Sequence, residues 1–362
     1  MIRVLQVGMT DNLGGIETFL MNYYRHIDKS KIQFDFINIY EDNLCFSDEI
    51  QKMGGLIYKV SNYYKHPLKY IHEVVDIINS NNYKIVHCNM NSAAIIYPLI
   101  ACKLSNAKIV ISHSHNSSSD KGLLKEILHN INKNFIPFLA TDYFACSDIA
   151  GKWFFSQKIR NSKNYKIIYN AVDLEKFKYN ELKRINKRKE LNIANNTFVI
   201  GHVGRFCKQK NHRFLLNFFA QFHNENNNSK LILIGQGPLM EKMKEQVKKL
   251  NIENDVLFLG QRNDINELYF AMDAFALPSL YEGLPLVGVE AQTSGLKCYF
   301  SDNITKELSL SNSCEYLPLM VNEWVKKIKP INYKRISNKI DTSKFDICHN
   351  ASVLQKIYME EI

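Results

Sequence analysis

The segment Glu282-Gly-Leu-Pro-Leu-Val-Gly-Val-Glu290 decides the fold assignment, because it joins two carboxylates, a tight turn and a helix start. An apolar run at 275–277 precedes it, so the order predicted is a strand, a loop and a helix at about 285–294. We place Pro285 at the first helical position, where proline is favoured. Free N–H groups and the helix dipole would then face an anion. The segment suits a sugar joined to a phosphate; the alternative is a surface helix that carries two acids.

Apolar runs alternate with amphipathic stretches along the chain, which is the pattern of strands and crossover helices in a parallel sheet. The first series of predicted strands is 4–7, 34–39, 85–88, 108–112, 143–146 and 166–169, with helices at 16–26, 68–78 and 93–104. The second series of predicted strands is 198–203, 230–234, 256–259, 274–277 and 298–300. The sequence therefore predicts an α/β protein with two parallel sheets that face each other across a cleft.

The predicted domain boundaries follow from this alternation. Residues 1–178 form a first Rossmann-like domain, and the polar, strongly basic stretch 179–197 is a linker with a short helix. Residues 198–340 form a second Rossmann-like domain. Residues 341–362 contain a final helix, at about 345–358, that packs back on the first domain.

Several motifs fall at the predicted carboxyl ends of strands, where open α/β sheets bind ligands. Gly14-Gly15 follows the first strand, and His113-Ser-His115 ends another. In the second series, Arg205 and Lys210 follow a strand that ends near Gly204. The glycines of Gly235-Gln-Gly237 lack the third glycine of a dinucleotide fingerprint, so we predict no NAD site.

The 282–290 segment is similar to the signature of retaining glycosyltransferases with the GT-B fold, in particular those of family 4 and its capsular and exopolysaccharide branch. Further matching segments are 201–211, 231–238, 258–260 and 273–279, and in the first half 14–17, 113–116, 145–147 and 170–173. The resemblance extends to about Asp302. Lys297 stands where the family often has proline, and Asn170-Ala-Val-Asp173 replaces the commoner Asn-Gly form.

The resemblance implies roles for the acidic and basic residues of the second domain. Glu290 would bind the ribose hydroxyls of the donor, and Glu282 the hydroxyls of the transferred sugar. Arg205 and Lys210, with the amides of Gly283 and Leu284, would hold the diphosphate.

Three further residues, and one of two histidines, complete the set that the resemblance implies. Gly15 would let the backbone approach the diphosphate, and Gly235 belongs to a donor-binding turn. Arg262 would border the nucleobase, with an exposed loop arginine as the alternative. Either His113 or His115 would touch the sugar or a phosphate, and the sequence leaves both open.

The departing diphosphate gains negative charge, so cations and backbone donors must be fixed around it. Many transferases use a metal held by an Asp-x-Asp pair, but no two aspartates here are two residues apart. We therefore expect no metal and no cofactor, with Arg205 and Lys210 supplying the charge. Retention of the anomeric configuration, by a same-face attack that needs no protein base, is implied by the resemblance alone.

Composition narrows the class of protein. The chain has 362 residues, 46% hydrophobic, and a formal net charge of +10. No run approaches the roughly eighteen apolar residues of a membrane span, and the N-terminus has the pattern of a strand rather than a signal peptide. We expect a cytoplasmic protein whose eight cysteines are free thiols. The charge is spread evenly without a recognition motif, so nucleic acid is not an expected partner.

One predicted helix bears on a membrane partner. Lys121, Lys125, His129 and Lys133 recur every four residues, with apolar residues between 124 and 135 on another side. Such a helix can lie on an anionic membrane, here the inner face of the plasma membrane. The alternative is an ordinary surface helix with its apolar side in the core.

The leading functional hypothesis is a hexosyl- or N-acetylhexosaminyl-transferase. It would move a sugar from a nucleotide-sugar, with UDP the expected nucleotide, to a glycan or lipid-linked acceptor in surface or exopolysaccharide synthesis. Two alternatives stay open: a non-catalytic subunit that binds a sugar nucleotide or a partner transferase, and a UDP-sugar 2-epimerase of the same fold.

Overall fold

The computed structural model describes residues 1–116, 122–330, 335 and 343–360. The chain divides into two compact units. The first contains Met1–Ala171 and Lys344–Ile362, and the second contains Val172–Ser343. The division therefore falls before residue 178, and the stretch 179–197 belongs to the second unit.

The strands of the first unit are β1 (Ile2–Val7), β2 (Ile32–Asn38), β3 (Ile57–Lys59), β4 (Ile85–Met90), β5 (Ile109–Ser114), β6 (Asp142–Ala145) and β7 (Tyr165–Ile167). Those of the second are β8 (Phe198–Val203), β9 (Ser229–Ile234), β10 (Val256–Gly260), β11 (Ala274–Leu277), β12 (Lys297–Ser301) and β13 (Cys314–Leu317). Every pair of neighbours is parallel, in the orders β3-β2-β1-β4-β5-β6-β7 and β10-β9-β8-β11-β12-β13. The predicted α/β class with two parallel sheets is confirmed.

The helices of the first unit are α1 (Gly15–His26), α2 (Ser47–Lys52), α3 (Pro67–Ser80), α4 (Tyr97–Leu104), α5 (Leu123–Asn132), α6 (Ile136–Leu139), α7 (Asp148–Phe154) and α8 (Gln157–Arg160). The second unit has α9 (Glu181–Glu190), α10 (His212–Glu225), α11 (Met240–Lys249), α12 (Ile265–Ala271), α13 (Leu286–Thr293) and α14 (Val321–Lys327). The final helix, α15 (Ile347–Glu360), returns to the first unit, where it packs on α1.

Two strands, β3 and β13, were absent from the prediction. Both lie at the edge of their sheet and are only partly buried. An edge strand packs on fewer neighbours, so its sequence needs no continuous apolar run. The central strands β1, β4, β5, β8 and β11 are buried along most of their length, and their apolar runs were predicted.

Helix α9 lies within the stretch predicted as a linker, and two arginines, of which Arg188 is buried, attach it to the second sheet. The Arg188 side chain is buried, and its Nε donates to the carbonyl of Ala271. Asp273, at the start of β11, accepts from Arg188 Nη2 and from Arg184 Nη2, each at 2.6 Å, and from the Val199 amide at 2.8 Å. A buried charge is tolerated only when it is paired, so this carboxylate balances both guanidinium groups.

We expect Asp273→Asn to lower the unfolding free energy of the second unit by about 3 to 5 kcal/mol, because two arginines would lose their counter-charge. Urea unfolding followed by fluorescence measures this loss. The matched control is Glu241→Gln, which breaks an exposed pair with Lys244 in the same unit and should change stability by less than about 0.5 kcal/mol. Equal urea midpoints for the two variants would contradict the assignment.

Candidate active site

The strand order of the second sheet brings two loops together. β8 lies between β9 and β11. The chain therefore adds β9 and β10 on one side of β8, and then β11, β12 and β13 on the other side. Ligands bind at such a switch point, beyond the carboxyl ends of the strands. Arg205 and Lys210 follow β8, and Glu282 follows β11.

Lys210 and Glu282 form an ion pair at this edge of the sheet. The Lys210 ammonium lies 2.6 Å from Glu282 Oε1, although the residues are 72 positions apart in sequence. The Gln209 amide donates to the other carboxylate oxygen at 3.2 Å and to the Tyr281 carbonyl at 3.0 Å. Both charged side chains are mostly buried, so the pair is poorly screened by water. The structure thus brings two of the predicted site residues into contact.

The loops after β8 and β9 also touch through their backbones. Gly235 has φ +135°, and a Cβ there would lie 2.2 Å from the Gly204 carbonyl oxygen. Only glycine fits, because a side chain would meet backbone. Next to Gly204, the Arg205 side chain is exposed and has no ion-pair partner in the described ranges.

The 282–290 segment begins its helix one residue later than predicted. Pro285 is the N-cap, with extended backbone, and α13 starts at Leu286. The position predicted for Pro285, as the first helical residue, is therefore wrong. The amides of Gly283 and Leu284 lie in the preceding loop, where no acceptor among the described residues takes them up.

Glu290 lies on α13 in an environment that favours its neutral form. Tyr269 Oη is 3.0 Å from Glu290 Oε2 and 3.1 Å from the Val287 carbonyl. The single phenolic proton serves one of these acceptors at a time. Burial raises the pKa of the Glu290 carboxyl to about 7, and the Tyr269 hydrogen bond opposes that rise in part.

Arg262 is engaged by carboxylates of its own unit. Its guanidinium pairs with Asp264 at 2.6 and 2.7 Å and with Glu190 on α9 at 3.0 Å. These contacts fix the loop after β10 against α9. Its contact with a nucleobase stays a prediction.

In the first unit, the Gly14-Gly15 turn leads directly into α1. A Cβ added at Gly15 would meet no atom within 4 Å, so no neighbouring atom of the protein requires glycine there. Glu17 is buried, and its Oε1 accepts the Thr10 amide at 2.8 Å. This bond holds the loop between β1 and α1.

His113 and His115 lie side by side where β5 ends. Their ring centroids are 4.0 Å apart, and the ring of Phe19 packs edge-on against both. His113 is fully buried, while His115 is half-buried. Burial holds the pKa of His113 well below its usual value and lowers that of His115 to about 3. Both rings are therefore neutral near pH 7.

Sequence reasoning missed two polar residues on the neighbouring strand. His87 Nε2 lies 3.0 Å from His113 Nδ1, and Asn89 Oδ1 lies 2.9 Å from His115 Nε2. Both are buried in β4. The signal was present, because polar residues two apart share one face of a strand, and here that strand is otherwise apolar.

The helix considered for a membrane partner is α5, and its orientation differs from the expectation. His129, predicted on a basic stripe, is buried: its ring stacks on Trp153 at 4.0 Å and accepts the Ala93 amide. Lys121 lies outside the described residues. The apolar side faces solvent, so the alternative of an apolar side in the core was also wrong.

We define the α5–α6 apolar surface as seven side chains that are each 37 to 75% exposed: Leu123, Leu124, Ile127, Leu128, Ile131, Phe135 and Phe138. Contiguous exposed apolar side chains of this kind mark interaction sites. Within the described residues, no helix is both long and apolar enough to cross a bilayer. In the same residues, no three acidic, histidine or cysteine side chains converge as metal ligands.

Comparison with known proteins assigns the family. Residues 13–176 match the model of Glycosyltransferase Family 4, and residues 183–305 match Glycosyl transferases group 1. The chain is 38% identical over 310 residues to EpsF of Bacillus subtilis (strain 168), named as a glycosyltransferase, covering 84% of this chain and 80% of EpsF. The chain belongs to glycosyltransferase family 4.

Other relatives of this family-4 chain extend the comparison. An Escherichia coli protein named UDP-Gal:alpha-D-GlcNAc-diphosphoundecaprenol alpha-1,3-galactosyltransferase is 27% identical over 82% of this chain and 80% of its own length. The solved structure of Anabaena Alr3699/HepE with UDP and glucose superposes with a TM-score of 0.74 at 20% identity, covering 99% and 95% of the two chains. The predicted GT-B fold is confirmed.

Glu290 gives this family-4 site an expected pH dependence. The resemblance predicts that Glu290 binds the ribose hydroxyls of the donor. Under that prediction, the hydroxyl donors would stabilise the carboxylate and lower its pKa, so binding below about pH 7 would release a proton. We expect UDP affinity to fall as the pH decreases through 7, approaching tenfold per pH unit. Calorimetric titration with UDP between pH 8 and 6 measures this.

The matched variants are Glu290→Gln and Glu282→Gln. The first removes the titrating group and should flatten the dependence, whereas the second leaves Glu290 in place and should retain it. The ionisation of UDP itself is common to all three proteins. An identical pH slope in wild type and Glu290→Gln would exclude this carboxyl as the cause.

Proposed function

We propose that the chain transfers a hexosyl or N-acetylhexosaminyl group from a UDP-sugar to a glycan or lipid-linked acceptor in bacterial surface polysaccharide synthesis. The observation that carries this proposal is the Lys210–Glu282 ion pair at the strand ends of a family-4 chain, together with Arg205, whose exposed side chain has no ion-pair partner within the described residues. The name of the Escherichia coli relative, which includes a UDP-sugar and a diphosphoundecaprenol acceptor, supports it. So does the UDP bound by HepE.

The cations act on the leaving diphosphate. Arg205 offers a planar fork of donors to two phosphate oxygens, and the Lys210 ammonium has protons beyond the one directed at Glu282. The amides of Gly283 and Leu284 add neutral donors ahead of α13. Lys210 is held by Glu282 before the reaction, and a cation fixed in place stabilises developing charge without reorganisation.

Glu282 acts on the sugar. Its carboxylate accepts hydrogen bonds from sugar hydroxyls and counters positive charge that develops on the ring as the anomeric bond breaks. We propose that the acceptor hydroxyl attacks from the face that the diphosphate leaves, and that the departing phosphate takes its proton. This course retains the configuration and needs neither a protein base nor a metal.

The assay measures UDP, GDP and ADP release from a panel of nucleotide-sugars in chelator, with and without a crude lipid-linked acceptor. We expect acceptor-dependent release from one UDP-sugar. Lys210→Ala should lower the rate by about 10² or more, because it removes one preorganised cation. Lys244→Ala, which removes an exposed lysine of the same unit, is the matched control.

The outcomes separate the three functions. Release that requires added Mg²⁺ would overturn the metal-independent mechanism. Epimerised UDP-sugar without transfer would identify the 2-epimerase. Tight, saturable UDP binding with no turnover on any acceptor would identify the non-catalytic subunit. Product carrying the opposite anomeric configuration would overturn retention.

We also propose that the α5–α6 apolar surface rests on an anionic membrane, at the cytoplasmic face where lipid-linked acceptors are used. Seven exposed apolar side chains suit insertion at the headgroup boundary. Lys125 is exposed on the same helix, and the chain carries a formal charge of +10. A basic residue near an anionic surface contributes about 1 kcal/mol to binding.

Sedimentation with vesicles of phosphatidylglycerol and phosphatidylcholine tests this contact. We expect binding that weakens in high salt and falls at least about tenfold in Leu124→Ser/Phe138→Ser. The control is Leu68→Ser/Leu104→Ser, which removes two exposed leucines of the first unit that lie outside this surface. Equal vesicle binding by the two double variants would refute the proposal. So would a wild-type protein that is a dimer, if Leu124→Ser/Phe138→Ser is monomeric and the control double variant stays dimeric.

A further inference from the structure

The Asn89 amide has its orientation fixed by the backbone. Its Nδ2 lies 3.2 Å from the Val7 carbonyl and 3.3 Å from the His87 carbonyl. Carbonyl oxygens only accept hydrogen bonds, so the nitrogen end of the amide must face them. Nδ2 also lies 3.1 Å from Gln6 Oε1. The oxygen end of Asn89 therefore points the other way, toward His115.

This orientation assigns the proton on His115. Asn89 Oδ1 can only accept, and it lies 2.9 Å from His115 Nε2. The proton of the neutral ring must then be on Nε2, which leaves a lone pair on Nδ1. Nδ1 is buried and has no partner within the described residues. It can accept a hydrogen bond but cannot donate one.

A second branch of the same network runs from Gln6 to His113. With Gln6 Oε1 toward Asn89, Gln6 Nε2 donates to Tyr358 Oη at 3.4 Å. The hydroxyl then donates to His87 Nδ1 at 2.6 Å, so His87 Nε2 carries a proton and donates to His113 Nδ1 at 3.0 Å. His113 is thereby the Nε2–H tautomer. It lies fully buried beside His115, 4.0 Å away between ring centroids.

We propose that Asn89 is a positioning residue: it fixes His115 as the Nε2–H tautomer, so that Nδ1 accepts a hydrogen bond from a hydroxyl of the transferred sugar. The inference rests on the proposed function. It chooses between the two ligands that the sequence left open for this histidine, because a phosphate oxygen offers no proton to a lone pair. Of the two histidines, His115 is the one that is not fully enclosed.

Such a contact contributes to sugar specificity. A sugar analogue that lacks this hydroxyl would leave the buried acceptor without a hydrogen bond. An unpaired buried polar group lowers binding affinity strongly, so the site would discriminate against the analogue. The neutral ring also makes the contact insensitive to pH, since the pKa of His115 is lowered to about 3 by burial.

Tautomers are read directly by long-range proton–nitrogen NMR of protein labelled with ¹⁵N-histidine. In the wild type without ligand, we expect His115, His113 and His87 all as Nε2–H tautomers. Assignment uses His115→Gln. His115 found with its proton on Nδ1 would overturn the inference, and this measurement needs no variant of Asn89.

Asn89→Leu removes the fixed acceptor while keeping the side-chain size. We expect His115 to shift to a mixture of tautomers. UDP affinity should stay unchanged, while the affinity ratio of a UDP-sugar over UDP, probed with UDP-glucose and UDP-galactose, should fall about tenfold. A shifted tautomer with an unchanged ratio for the bound sugar would exclude contact between His115 and the sugar. If the wild type does not bind UDP at all, that result would instead contradict the proposed function.

Tyr358→Phe tests the second branch independently. It should change the tautomers of His87 and His113 and leave His115 with its proton on Nε2. The matched control is Tyr70→Phe, because the Tyr70 hydroxyl is buried without a partner in the described ranges. A changed His115 tautomer in Tyr358→Phe would contradict the inference that Asn89 alone holds the proton on His115 Nε2.

Discussion

Parallel strand pairing is the constraint on which both the Lys210–Glu282 pair and the Asn89–His115 contact depend. Each strand must be followed by a crossover before the next can pair in the same direction, so the loops that leave the strands gather at one edge. In the second sheet, β8 and β11 are neighbours although α10, α11 and α12 separate them in sequence. Lys210 and Glu282 meet at 2.6 Å for this reason. In the first sheet, the adjacency of β4 and β5 joins Asn89 to His115 in the same way.

The buried polar groups of the Arg188–Asp273 cluster differ from those at the two strand ends in how fully they are hydrogen-bonded. In the core, Arg188 and Asp273 are saturated by each other and by backbone partners. At the strand ends, His115 Nδ1 lacks a partner within the described residues, as do the Gly283 and Leu284 amides. A buried polar group without a partner is costly and rare. Within the described residues, other buried polar atoms, such as the Tyr70 hydroxyl and His113 Nε2, also lack partners. At the strand ends, the proposed function supplies a ligand that would complete His115 Nδ1 and the loop amides.

The sequence predicted most of this fold because apolar periodicity records which face of an element is buried. It missed the partly buried edge strands β3 and β13, and it failed where the covering partner matters. The α5 pattern is identical whether its apolar side faces a core or solvent, so periodicity alone could not orient it. His129 shows the converse error, since four-residue spacing placed it with lysines while the structure stacks it on Trp153.

Prediction of the site was limited in a similar way. Motif resemblance supplied residues such as Lys210 and Glu282, which lie in the matching segments. It could not supply Tyr358, which lies 271 positions from His87 and acts only through contacts that the fold creates. Asn89 carried a usable signal in the alternation of β4, yet its role depends on which end of its amide faces the Val7 carbonyl. Such roles require coordinates, because tautomers follow from the direction of each hydrogen bond.

The Glu282 carboxylate, 2.6 Å from the Lys210 ammonium, offsets the charge of the cation that the proposed function assigns to the diphosphate. The Lys210–Glu282 pair is neutral as a unit, so without a sugar the net positive charge offered to phosphate comes from Arg205 and from the loop amides. Sugar hydroxyls that bind Glu282 spread its negative charge over several donors and weaken its hold on Lys210. The ammonium is then freer to follow charge onto the leaving phosphate. Under the proposed function, sugar and diphosphate recognition would be coupled through this one ion pair, and the arrangement would favour a bound UDP-sugar over the UDP that remains after transfer.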